Sequence, residues 1–244
     1  MDKQNKVKNS VHPFMRNDGD YRKLKFGHKV IYKPNEWFFV HIPKNGGTSF
    51  AGQIKRNTKE YDKDWGVQTL QISFNELHNP ADVLQEKYKD ILSNCQPVCL
   101  VRNPWSRCLS LYRFNLEAAV RPLNMKEEWA LHVHTRLTSE GFKTSWMPNG
   151  HFRDEINMQE GIINNPNRTW LENAPQHSWM NSSAKFFKLE TQLKQFYKYL
   201  GIPEIKTHRN SSMHHDYHLY YDDELKGEIG KLYAKDIEMF NYTF

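Results

Sequence analysis

Residues 37–49 read WFFVHIPKNGGTS, and this stretch predicts a strand, a loop and the start of a helix. Aromatic and β-branched residues dominate as far as Ile42, which is typical of a buried strand, and Pro43 ends the run. Where a loop leads from a strand into a helix, the first backbone N–H groups of the helix can bind an anion. The loop adds two glycines, one lysine and two hydroxyl groups, supplied by Lys44, Gly46, Gly47, Thr48 and Ser49. The stretch therefore predicts a phosphate-binding site.

The same loop differs from the Walker A pattern of nucleotide triphosphatases. In that pattern, Gly-x-x-x-x-Gly-Lys-Ser/Thr, the lysine directly follows the last glycine. Here Thr48 follows Gly47, and Lys44 precedes both glycines. An ATP-dependent kinase of P-loop-like fold remains an alternative, but it lacks its main signature.

A second candidate anion site follows the apolar run of residues 98–101. Arg102 stands where this strand should end, and Asn103-Pro104 combines a helix cap with a proline at the first helical position. Ser110 lies about two turns into the predicted helix, which also carries Arg107. This spacing can place Arg102 and Ser110 on one anion. On spacing alone, an arginine paired with a surface carboxylate is an equally good interpretation.

Strands and helices alternate along the rest of the chain. Further strands are predicted by residues 67–73 and 184–189, and helices by the segments that begin at Asn79-Pro80, span 191–200 and run from Asp222 to Phe240. This alternation indicates an α/β fold with a central parallel sheet flanked by helices. We expect one domain over residues 31–244, a polar N-terminal extension over 1–30, and a helical insertion over 121–175 above the active-site mouth.

Composition narrows the class of protein. The 244 residues carry 34 Lys plus Arg against 28 Asp plus Glu, a net charge of +6, without a block of consecutive basic residues. We therefore expect no nucleic-acid partner, although a modest positive field suits an anionic ligand. The three cysteines form no metal or disulfide pattern, and no apolar run approaches the roughly 18 residues of a membrane span. These features predict a cytoplasmic chain without a membrane span or secretory signal.

The two candidate anion sites resemble one enzyme family. Residues 41–49 closely resemble the 5'-phosphosulfate loop of the sulfotransferases related to the Golgi heparan and chondroitin enzymes and their soluble bacterial or viral relatives. In that family threonine is usual at the position of Asn45. Residues 101–110 resemble the 3'-phosphate motif of the same enzymes, whose matching arginine and serine hold the 3'-phosphate. The resemblance runs from about residue 37 to the C-terminus, leaving 121–175 unmatched.

This resemblance implies a P-loop-NTPase-like sheet and a sulfotransferase activity. The donor would be 3'-phosphoadenosine 5'-phosphosulfate, used without a metal, and the acceptor a hydroxyl, most simply that of a saccharide. Residues 44–49, Lys44-Asn45-Gly46-Gly47-Thr48-Ser49, would hold the 5'-phosphosulfate, while Arg102 and Ser110 would hold the 3'-phosphate. A non-catalytic protein that binds anions or polysaccharides remains an alternative from another class.

Transfer to an alcohol needs a group that stabilises the leaving phosphate and a base that takes the hydroxyl proton. Lys44 is the candidate for the first role. His78 is the candidate base, because it lies between the strand of residues 67–73 and the helix at Pro80, at the rim where ligands bind in open α/β sheets. Relatives often carry a histidine base here and some use glutamate, so Glu76 is the runner-up. A solvent-exposed loop histidine is the structural alternative.

Other polar and aromatic residues suggest further functional hypotheses. His151 and His177 are candidates for contact with the acceptor. Three histidines beside Asp216 form a weak metal hypothesis, and three tryptophans fit either sugar stacking or core packing. These residues are His214, His215 and His218, and Trp129, Trp146 and Trp170.

Overall fold

A computed structural model describes residues 28–60, 65–73, 76–111, 174–204 and 216–244. Nearly all of the extension over 1–30 and of the insertion over 121–175 lies outside these ranges, and both remain predictions. The first strand spans His28–Lys33, so the boundary expected between residues 30 and 31 falls within a strand.

Five strands form one sheet in the order β3-β1-β2-β4-β5. The strands are β1 (His28–Lys33), β2 (Trp37–Phe39), β3 (Gln68–Ile72), β4 (Gln96–Val101) and β5 (Lys185–Lys188). β1 pairs antiparallel with β2 and β3, whereas β4 pairs parallel with β2 and β5. Four of the five described strands therefore point the same way. The expected α/β class is confirmed, and the sheet is mixed rather than purely parallel.

The antiparallel strand β1 was not predicted from the sequence. It connects to β2 through Pro34, Asn35 and Glu36, and Asn35 has a left-handed φ of 59°. A connection of three residues is too short for a parallel crossover, so the two strands must form a hairpin. The Pro-Asn pair is the sequence signal that indicates this turn.

Helices cover both faces of the sheet. The α-helices are α1 (Gly47–Glu60), α2 (Ala81–Lys87), α3 (Lys89–Leu92), α4 (residues 104–111), α5 (Leu193–Leu200), α6 (Asp223–Leu232) and α7 (Ala234–Phe240). Alternate residues of β4 enter opposite cores: Val98 and Leu100 pack with α1 and α5, whereas Cys99 and Val101 pack with α2, α3 and α7. A strand buried on both faces is typical of the centre of an α/β sheet.

Most predicted helix ends are confirmed, with two differences. Asn103 accepts hydrogen bonds from the backbone N–H groups of Trp105 and Ser106, and Asp222 caps α6 through the N–H of Leu225. At α2, however, Pro80 itself is the N-cap residue, and Asn79 lies before it. The long C-terminal helix is divided at Tyr233, whose φ of −114° and ψ of 26° separate α6 from α7.

Candidate functional site

The two candidate anion motifs leave the sheet at the same edge. β2 and β4 are parallel neighbours, with Phe39 opposite Val98, and the pairing continues as the N–H of Val40 donates to the carbonyl of Val98 at 2.9 Å. The loop after β2 and Arg102 after β4 therefore both start at the carboxyl edge. In α/β sheets this is the edge where ligands bind.

Lys44 occupies a backbone conformation that residues with a Cβ atom rarely adopt. Its φ is 67°, in the left-handed region, and Gly46 two residues later has a φ of 80°. A left-handed conformation costs a non-glycine residue roughly 1–2 kcal/mol. Placing a lysine here, where glycine would be less strained, supports a functional role for the lysine side chain.

Direct contact joins the two motifs at this point. The Nη1 atom of Arg102 donates to the carbonyl oxygen of Lys44 at 3.2 Å. The carboxyl edge therefore brings together Lys44 and Arg102, which the resemblance had assigned to the 5'-phosphosulfate and the 3'-phosphate of one donor.

Close packing requires glycine at position 47. α1 begins at Gly47, and the N–H of Phe50 donates to the carbonyl of Gly46. A Cβ atom at position 47 would lie 2.3 Å from the imidazole of His41. The first turn of α1 also carries Thr48, which is exposed, and Ser49, which is half-buried. The first N–H groups of an α-helix generally lack an acceptor inside the helix, which is why such a terminus can bind an anion.

The side chain of Asn45 points into the protein and not toward solvent. Asn45 is 1% exposed, and its Nδ2 atom donates to the carbonyl of Leu100 at 2.8 Å and to the Oε1 of Gln176 at 2.7 Å. Its Oδ1 atom is buried without a hydrogen-bond partner. The amide of Asn45 therefore fixes the loop from inside, and only its main chain can face a ligand.

The side chain of Arg102 is hydrogen-bonded both to the loop that carries Lys44 and to α4. In addition to its bond to Lys44, its Nε atom donates to the Oγ of Ser106 at 3.0 Å. Burial lowers the pKa of Arg102, and the negative charge of Glu190 acts in the opposite direction. Ser110 lies one turn beyond Ser106 on α4 and is half-buried, so the two hydroxyls share one face of the helix. The guanidinium contacts Ser106, and Ser110 lies further along the same face.

Arg107 fixes the loop from behind. Its Nε donates to the carbonyl of Pro43 at 3.1 Å and its Nη1 to the carbonyl of Ala174 at 3.0 Å. The guanidinium also lies 5.7 Å from the ring centre of Trp179, and the residue is 3% exposed. These contacts indicate that Arg107 orders the backbone of the site from within the protein.

His78 lies against the same loop, on the side of His41. Its Nδ1 atom is 3.0 Å from the carbonyl oxygen of His41, and the two imidazole rings meet edge to face at 4.8 Å. The indole of Trp179 donates to the carbonyl of His78 at 2.8 Å. Because a carbonyl oxygen can only accept, Nδ1 carries a proton, so that in the neutral form of the ring the lone pair is on Nε2. This tautomer suits a general base.

Glu76 is engaged in local hydrogen bonds. One carboxylate oxygen accepts from the N–H and the hydroxyl of Ser73 at 2.8 and 2.7 Å, and the other accepts from Tyr88 and pairs with Lys87. Burial acts to raise the pKa of Glu76, but Lys87, Ser73 and Tyr88 outweigh it and lower the pKa from 4.5 to about 2. So weak a base is poorly suited to take a proton near neutral pH.

We expect Glu76 to support the fold. Its pKa in the folded state is below its ordinary value, so its stabilisation is fully present above pH 4.5 and is lost as the pH falls toward 2. At neutral pH, Glu76→Gln should lower the free energy of unfolding by up to about 3 kcal/mol. Urea unfolding of both proteins at a series of pH values should show this difference narrowing in acid. The control is Glu86→Gln, which changes an exposed carboxyl of α2. If the difference in unfolding free energy between wild type and Glu76→Gln stays constant with pH, the stabilising role of the Glu76 carboxylate is contradicted.

Sequence reasoning assigned no role in the site to two buried polar residues behind the loop. Gln176 is bonded to Asn45 and Arg102, and Asp236 of α7 accepts from the N–H of Gln176 at 2.6 Å. Asp236 also accepts from the N–H and the Nδ1 of His177, at 2.9 and 2.7 Å. His177 had been predicted to contact an acceptor, and its Nδ1 is bonded inside the protein. The sequence carries no distinct signal for Asp236, because the same helix also carries the charged residues Lys235 and Glu238.

Several predicted residues fall outside the described ranges, namely His151, His214, His215, Trp129, Trp146 and Trp170. His218 is described, and its Nδ1 bonds to Asp216. Within the described ranges, no three His, Cys, Asp or Glu side chains gather into a metal site. Nor do the described helices include one with the length and apolar character that a membrane span requires.

The fold and the site together define an α/β protein with a cationic loop at the carboxyl edge of a largely parallel sheet. The sequence profile of the Sulfotransferase family matches residues 28–243, a range that contains every described strand and helix. The chain therefore belongs to the Sulfotransferase family and is a sulfotransferase enzyme. No curated protein and no solved structure matches the chain significantly.

Proposed function

We propose that this sulfotransferase uses 3'-phosphoadenosine 5'-phosphosulfate as its donor and a saccharide hydroxyl as its acceptor. The observation that carries the donor assignment is the bond of 3.2 Å from Arg102 to the carbonyl of Lys44. It brings a second cation to a strand-loop-helix unit of P-loop-like type. A ligand with two phosphate groups on one nucleoside matches two adjacent cationic sites better than a ligand with one.

The residues at the carboxyl edge of the sheet fit this donor. The main chain of residues 44–49 and the first turn of α1 would hold the 5'-phosphosulfate, with the hydroxyls of Thr48 and Ser49 beside it. Arg102 and Ser110 would hold the 3'-phosphate, with the guanidinium directed by Ser106. Lys44 would neutralise the charge that develops on the leaving phosphate oxygen.

The proposed reaction is an in-line displacement at sulfur. A new bond forms between the acceptor oxygen and sulfur, while the bond between sulfur and the 5'-phosphate oxygen breaks. The electron pair of the broken bond stays on the phosphate, beside Lys44. The acceptor proton moves to the Nε2 of His78, whose other nitrogen is held by the carbonyl of His41. The products are a sulfate ester and adenosine 3',5'-bisphosphate.

The saccharide acceptor is supported by the resemblance of both motifs to enzymes that sulfate carbohydrates. The insertion over residues 121–175 is expected to lie above the acceptor. Transfer of radiolabelled sulfur from the donor to a panel of oligosaccharides, with simple phenols for comparison, tests the assignment. Labelled oligosaccharide is the expected product. Labelling of phenols alone would contradict the saccharide proposal.

The two candidate bases can be separated by substitution. His78→Ala should lower kcat by about 100-fold, the scale of a lost general base, with a small effect on donor affinity. Glu76→Gln should retain most of the turnover at a temperature where it is folded, because its carboxylate is already bound by Ser73 and Lys87. Steady-state kinetics of both variants gives the comparison. A larger loss of kcat in Glu76→Gln than in His78→Ala would reverse the assignment.

A further inference from the structure

Gln176 connects the two halves of the candidate donor site. Its Oε1 atom accepts from the N–H of Arg102 at 2.8 Å and from the Nδ2 of Asn45 at 2.7 Å. Its Nε2 atom donates to the carbonyl of Arg102 at 2.8 Å. One neutral amide therefore binds both main-chain polar groups of Arg102 and the side chain at the centre of the glycine loop.

The amide of Gln176 is itself held in place. The residue is 0% exposed, and its own N–H donates to Asp236, whose side chain is also fully buried. Asp236 lies on α7, which packs on the short helix Gln176–Trp179. The position of Gln176 is therefore set by the core and is independent of any ligand.

We propose that Gln176 is a positioning residue that fixes the distance between the Arg102 site and the Lys44 loop. This inference rests on the proposed function, because it assigns the two sites to two phosphate groups of one donor. Gln176 is too deeply buried to touch that donor and acts only through Arg102 and Asn45. A ligand that spans both sites gains affinity when their separation is already correct, whereas a ligand held by one site gains little.

The test compares three nucleotides by calorimetry: adenosine 3',5'-bisphosphate, adenosine 3'-phosphate and adenosine 5'-phosphate. Gln176→Leu removes the amide and keeps a side chain of similar size. We expect the affinity for the bisphosphate to fall about tenfold and the affinity for each monophosphate to change less than about twofold. The advantage of the bisphosphate, defined as the ratio of its affinity to that of each monophosphate, should therefore shrink about five- to tenfold.

Gln53→Leu is the matched control. Gln53 is also a buried glutamine, at 4% exposure, and it accepts from the hydroxyl of Tyr197 within the other core. This variant should lose thermal stability and keep the advantage of the bisphosphate unchanged. A merely structural role for Gln176 predicts the same behaviour in both variants.

Four results would overturn the inference. If wild-type protein shows no advantage for the bisphosphate, the proposed function fails and this inference fails with it. If the wild-type advantage is present and Gln176→Leu retains it, or if all three affinities fall equally, the positioning role alone is wrong. Should Gln176→Leu not fold, Asn45→Ala cuts the bond between Gln176 and the loop while leaving both bonds to Arg102. An unchanged advantage in Asn45→Ala would then overturn the proposal.

Discussion

Replacement of Lys44 by alanine should lower the rate of sulfuryl transfer by about 1000-fold. The lysine would supply the full positive charge beside the leaving phosphate oxygen, and loss of one preorganised donor costs roughly 3–4 kcal/mol of transition-state stabilisation. Alanine and lysine both carry a Cβ atom, so the left-handed φ of 67° is equally strained in the variant. Stability should therefore stay close to that of the wild type. Initial rates at saturating donor measure the effect.

The control for this experiment is Lys185→Ala. Lys185 is exposed and opens β5, at the end of the strand opposite the site. The control should turn over at the wild-type rate, since it removes the same charge from the whole protein without touching the loop. Full activity in Lys44→Ala would remove the proposed leaving-group role.

Replacement of Arg102 by alanine should lower the affinity for adenosine 3',5'-bisphosphate by about 300-fold, as expected when one partner of a partly buried charged pair is truncated. The affinity for adenosine 5'-phosphosulfate, which lacks the 3'-phosphate, should fall less than about tenfold. This smaller loss comes from removal of the hydrogen bond that joins Arg102 to the carbonyl of Lys44. Competition binding with both nucleotides measures this difference.

Ser106→Ala is the matched variant for Arg102. It removes the acceptor of the Arg102 Nε atom and keeps the guanidinium charge. We expect the affinity for the bisphosphate to fall a few-fold, about the effect of losing one hydrogen bond. If Arg102→Ala lowers the affinities for the two nucleotides equally, this arginine does not recognise the 3'-phosphate.

The elements that position the site were predictable because each had a local signal. Residues 37–49 indicated the strand, the loop and the helix start, and Asn103-Pro104 indicated the cap of α4. Gly201, with a φ of 69°, ends α5 directly after the predicted span of 191–200. In each case the determining interaction lies within a few residues of sequence.

The contacts inside the site depend on long-range packing, and sequence patterns did not give them. Gln176 is 131 residues from Asn45 and 74 from Arg102. Similarly, the imidazole of His41 occupies the space above Gly47, so that packing against a residue outside the glycine turn also requires glycine there. Asn45 illustrates the same limit, because the resemblance placed it in the loop that would hold the 5'-phosphosulfate and the fold turns its side chain inward to the carbonyl of Leu100.

The most direct test of the donor assignment is calorimetric binding of adenosine 3',5'-bisphosphate to the wild-type chain, beside ATP and AMP, with and without magnesium. The bisphosphate should bind more tightly than either of the other nucleotides, and magnesium should not change its affinity, because Lys44 and Arg102 already supply the positive charge. A preference for magnesium-ATP, or binding of none of the three nucleotides, would contradict the account.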